Sequence, residues 1–141
     1  MNNSNDLLKY AKYNDNQEIV KEMVEAGADK NAVDENGSSA LHIATQCNNN
    51  NVVSALIELK ANLNDKDQNG NTALHYAVMM RNKIAAKALV EVGANPNIKN
   101  NDNKTALKIA QERHIEMVKI LLPTSGHKAV FYNKERVELN W

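Results

Sequence analysis

Apolar residues in this chain recur at i, i+3, i+4 spacing in short blocks, and the blocks themselves recur. EIVKEMVEAG at 18–27, NVVSALIELK at 51–60, IAAKALVEVG at 84–93 and EMVKILL at 116–122 each put their aliphatic residues on one stripe. That spacing predicts four amphipathic helices, each with one buried face. A shorter block comes before these helices, as in ALHIATQC, and predicts a helix of about two and a half turns. Polar turns precede the short blocks: DENGS at 34–38, DQNGN at 67–71 and NNDNK at 100–104. Asp6, Ser39, Thr72 and Thr105 stand at the helix entries. Their side chains can accept hydrogen bonds from the free N–H groups of a first helical turn, so they are predicted N-caps.

The pattern has a period of 33 residues. Leu41, Leu74 and Leu107 keep the step, as do Ala11, Ala44, Ala77 and Ala110. So do Gly37 and Gly70, His42 and His75, and Asn31, Asn64 and Asn97. Repetition of supersecondary units at this spacing implies a stack in which each unit buries its apolar face against its neighbours. Gly27 and Gly93 fall where a helix C-terminus favours positive φ, and Lys60 replaces glycine at the equivalent place. A left-handed backbone at Lys60 is expected to cost about 1 kcal/mol.

The motifs resemble those of the ankyrin repeat family, which has a β-turn, two antiparallel helices and a T-P-L-H-x-A signature in each 33-residue unit. Here the signature reads SALHIA at 39–44, TALHYA at 72–77 and TALKIA at 105–110, with alanine in place of proline. The closing element reads GADKN at 27–31, KANLN at 60–64 and GANPN at 93–97. The resemblance implies an all-α solenoid of four helix-turn-helix repeats with β-turn tips, at about residues 5–33, 34–66, 67–99 and 100–123, within a domain covering 1–123. The outer units depart from the pattern, as end repeats do. Lys9 and Lys108 replace the motif histidine, and the last unit is one residue short before EMVKILL. Pro123 then ends its helix. Residues 124–141 contain no fifth unit. AVFY and RVEL around NKE predict a β-hairpin, carrying Phe131, Val137, Leu139 and Trp141 to the open face of the fourth repeat; the alternative is an extended tail.

Composition adds exclusions. The chain is 43% hydrophobic and 4% aromatic, which suits Ala, Leu, Ile and Val packing between helices. Its 17 basic and 17 acidic residues balance, which disfavours nucleic acid and anionic membrane as partners. Residues 1–66 are mildly acidic and residues 67–141 mildly basic, so end-to-end self-association is an alternative role. No apolar run approaches the ~18 residues of a membrane span, and the N-terminal stretch has no secretory apolar region. The single cysteine, Cys47, permits no intrachain disulfide. A cytoplasmic monomer without cofactor is expected.

His42 and His75 are the first candidates for chemistry. A shared metal would need both nitrogens at about 2.0–2.1 Å from one ion, whereas neighbouring helices lie about 8–10 Å apart. In ankyrin repeats the equivalent histidine bonds the motif threonine and adjoining loop backbone, so Ser39, His42, Thr72, His75 and Thr105 are expected to be structural. His114 and Cys47 make no recognised nucleophile–base pair, and a phosphate-binding glycine loop is missing. The resemblance implies a non-enzymatic module, an adaptor or an inhibitor of the immunity type, binding a partner protein in its concave groove. The groove positions it assigns are Tyr13, Asn14, Gln46, Cys47, Met79, Met80 and Glu112 on the helices. At the tips they are Glu35, Asn36, Ser38, Gln68, Asn69, Asn71, Asn101, Asp102 and Lys104. Tyr13, Cys47, Met79 and Met80 would form an apolar stripe suited to a partner.

Overall fold

The computed structural model describes residues 3–122 and the backbone of residues 128–132 and 135–139. Eight α-helices are found among them: α1 Asn3–Tyr13, α2 Gln17–Glu25, α3 Ala40–Gln46, α4 Asn50–Glu58, α5 Ala73–Met79, α6 Lys83–Glu91, α7 Ala106–Arg113 and α8 Val118–Leu121. They stack as antiparallel pairs. The odd-numbered helices pack in one row and the even-numbered ones in a second, with Leu7, Leu41, Leu56, Leu74, Leu89 and Met117 fully buried between them.

Capping chemistry sets the entries. The hydroxyls of Ser39, Thr72 and Thr105 accept from the backbone N–H of His42, His75 and Lys108. Asp6 does not cap. It lies in the first turn of α1, which begins at Asn3. The amide of Asn3 and the hydroxyl of Ser4 bond Ala26 O and Asp29 N, so this repeat's own closing loop anchors the earlier start. The Asp6 carboxylate still sits at the favourable positive end of the helix dipole.

Positive φ falls where the period requires it. Gly27 and Gly93 have φ of 110° and 95°, and Lys60 has 64° in the same role. In the tips, Gly37 and Gly70 have φ of 75° and 76°, and Asn103 takes over with 62° in the glycine-free third tip. Asparagine tolerates this region better than most residues. Asn48 and Arg81 turn the chain between helices with φ of 61° and 54°. His114 stands at φ −140° instead, because the last unit lacks one residue there. Its second helix is therefore a 3₁₀ turn, Ile115–Met117, running into the four-residue α8. Leu122 is extended, the conformation favoured before proline.

Strands β1 (Lys128–Tyr132) and β2 (Glu135–Leu139) pair antiparallel, with Val130 opposite Val137. The side chains of Phe131, Val137 and Leu139, and the whole of Trp141, lie outside the described residues, and so does their expected docking on the fourth repeat.

Candidate functional site

Two buried histidines connect the inner signature helices to the turn tips. In His42, Nδ1 lies 3.1 Å from Ser39 N and Nε2 lies 2.9 Å from Asn71 O. A backbone N–H can only donate and a carbonyl can only accept. Nε2 therefore carries the proton, an assignment made from the hydrogen-bond network. His75 repeats this arrangement with Thr72 N at 3.0 Å and Lys104 O at 2.9 Å. Each histidine thus clamps the tip of the following repeat. Burial holds the His75 imidazole below its usual pKa, opposed by its backbone hydrogen bonds. Among the described residues, no three His, Cys, Asp or Glu side chains group as a metal site.

The tips are braced internally and against each other. Asp34, Asp67 and Asn100 each accept from two backbone N–H groups further along their own turn. Gln68 N then donates to Asn36 O, and Asn101 N to Asn69 O, at 2.9 and 3.0 Å. This ladder links the three tips at 34–38, 67–71 and 100–104. It holds their exposed side chains at fixed spacing.

Of the groove positions assigned from the sequence, Tyr13, Asn14, Glu35, Asn36, Cys47, Gln68, Asn69, Met80, Asn101, Asp102 and Glu112 are exposed. Gln46, Met79 and Lys104 are half-buried. Ser38 and Asn71 are buried, which removes their side chains from the surface. Asn71 is consumed by the scaffold: its side-chain oxygen accepts from Asn100 and its carbonyl from His42. Lys104 and Glu112 come together with each other, at 2.9 Å. The Lys104 hydrogen bond is the main influence holding the Glu112 carboxyl below its usual pKa.

The four members of the expected apolar stripe are placed differently. Tyr13 and Met80 are 73% and 55% exposed, while Met79 packs its side chain partly against the core. Cys47 lines a cleft of about 280 Å³ together with Gln46, Asn36, Gln68 and Asn69. Tyr13 and Glu35 line a second cleft of about 350 Å³. Met79 and Met80 line neither.

Both clefts are also shaped by residues the motif did not single out. Lys12, Asp34 and Ile43 are common to the two, and Asp67 and Tyr76 belong to the first. The Tyr76 hydroxyl donates to Asp67 Oδ2, and its ring meets His42 edge-on at 5.9 Å. Burial, then the Asp67 hydrogen bond, pushes the Tyr76 phenol above its usual pKa. The fifth position of the two inner signatures, Ile43 in SALHIA and Tyr76 in TALHYA, was the available signal: it differs between them while the flanking histidine and alanine do not.

The family model described as ankyrin repeats (3 copies) matches residues 7–100 and, in a second overlapping match, residues 68–133. No curated protein is similar enough to count as a match. With the matches covering most of its length, the chain belongs to the ankyrin repeat family, whose members are generally protein–protein interaction modules.

Proposed function

We propose that this protein is a non-enzymatic interaction module that binds a partner protein across its concave face, acting as an adaptor or as an inhibitor that blocks its partner. The observation that carries this reading is the set of exposed side chains held on a hydrogen-bonded scaffold, with Tyr13 and Met80 the most exposed large apolar ones among the groove positions assigned from the sequence. Large apolar groups kept in water are costly unless something covers them. A pre-ordered surface also loses little conformational entropy on binding. Both ring nitrogens of His42 and His75 are already engaged, which supports a structural role for them and a module without chemistry of its own. In this reading the protein works as a cytoplasmic monomer. The test is a pull-down with the wild-type chain and a Tyr13→Asp/Met80→Glu variant whose circular dichroism matches wild type. A partner held by wild type and lost by the variant supports the reading. A partner held equally by both rules out the concave face as its site.

A further inference from the structure

The larger cleft, about 350 Å³, has an unusual charge arrangement. α1 supplies Lys9 and Lys12, and the tip at 34–38 supplies Asp34 and Glu35. Two acids and two bases thus line one cleft together with the apolar Leu8, Ile43 and Tyr13. None of the four takes part in an ion pair among the described residues. Elsewhere, opposite charges brought together by the stack do pair, as Lys21 with Glu58 and Arg81 with Glu116, both at 2.7 Å. Here Lys12 Nζ instead stands 5.2 Å from the Tyr13 ring centroid. Asp34 spends Oδ1 on the N–H groups of Asn36 and Ser38.

This arrangement discriminates between partners. A strongly basic segment meets two lysines, and a strongly acidic one, or a phosphate backbone, meets two carboxylates. Like-charge contacts of that kind select against a partner more strongly than exposed attraction selects for one. We propose that the cleft takes a short segment of a partner protein in which one apolar side chain is flanked by an acidic and a basic residue. The apolar group covers Ile43 and Tyr13, the acid faces the lysines, and the base faces Asp34 and Glu35. This rests on the concave-face reading above and narrows it to a place and a partner chemistry.

The experiment is selection of a displayed random 12-residue peptide library on the immobilised full-length chain. The enriched peptides are then synthesised and their affinities measured by fluorescence anisotropy. Peptides carrying both charge signs around an apolar residue should dominate. Lys9→Glu/Lys12→Glu, at two exposed positions, should weaken them about five- to tenfold, the scale of two exposed charge contacts. A second selection on that variant should yield peptides that have lost their acid. Enriched peptides with no charge pattern, or with affinity unmoved by the lysine change, overturn the proposal while leaving the concave face as a binding surface. Failure to enrich any peptide overturns the proposal, while the pull-down with the Tyr13→Asp/Met80→Glu variant separately decides the concave-face reading. A lysine-dependent dimer in sedimentation would make a second copy the occupant and overturn it as well.

Discussion

His75 Nε2 lies 2.9 Å from the carbonyl oxygen of Lys104, a residue 29 positions later in the next repeat. The ring's other nitrogen meets Thr72 N at 3.0 Å. One buried side chain therefore closes a helix entry and locks the following tip. His75→Ala should cost about 2–3 kcal/mol, because it strips partners from buried polar groups. Urea unfolding followed by circular dichroism measures this. A loss well under 1 kcal/mol would mean the clamp is dispensable.

The same residue should make stability depend on pH. Burial lowers the folded-state pKa of His75 below the value of about 6.5 expected in the unfolded chain. Above that pH both states hold a neutral ring, and its full contribution is present. As pH falls below it, the unfolded chain takes up the proton first, so stability drops until the folded-state pKa is passed. Unfolding free energy should therefore fall more between pH 7.5 and 5.5 in wild type than in His75→Ala. Equal slopes in the two proteins would refute the linkage.

Tyr76→Phe should cost about 1–2 kcal/mol, since it leaves a buried carboxylate oxygen of Asp67 without its phenol donor. Thermal melts of the two proteins at neutral pH make the comparison. Unchanged melting would show that water replaces the hydroxyl at no cost.

Asn82 caps α6 through Ala85 N and reaches back to Thr45 O and Asn50 Oδ1 in the preceding repeat. Asn82→Ala should destabilise by about 1–3 kcal/mol, combining a lost cap with lost cross-repeat bonds. Hydrogen exchange should show the opening at α4 and α6 together. Exchange that rises in α6 alone would mean that only the cap matters.

Lys60→Gly should stabilise by up to about 1 kcal/mol, as the left-handed backbone no longer strains a Cβ, less the added freedom of glycine in the unfolded chain. The check is the shift in urea midpoint, and a destabilised variant would show that the side chain's packing outweighs the strain.

Much of the architecture is legible in the chain because it is local. Helix periodicity, the Ser39, Thr72 and Thr105 caps and the positive-φ positions all follow from residues within a few places of each other. The exceptions have equally local causes. Asp6 failed as a cap because Asn3 and Ser4 offered the helix an earlier anchored start. The shortened last unit broke its second helix into a 3₁₀ turn and α8. The asparagines were legible only in part. Asn48 and Asn103 do take left-handed turns, but Asn31, Asn49, Asn64 and Asn82 bond a different repeat. Cross-repeat partners lie about 30 residues away, where no short-range pattern can name them.

By itself, then, the sequence determined the repeat and its helices, because period and capping are properties of neighbours along the chain. Only the tertiary structure decided which of the positions expected to line a groove are exposed. It buried Ser38 and Asn71 and paired Lys104 with Glu112. It also placed the clefts around Ile43, Asp34 and Lys12, away from Met79 and Met80. Exposure depends on how adjacent repeats lean on one another, and that follows from packing across the stack.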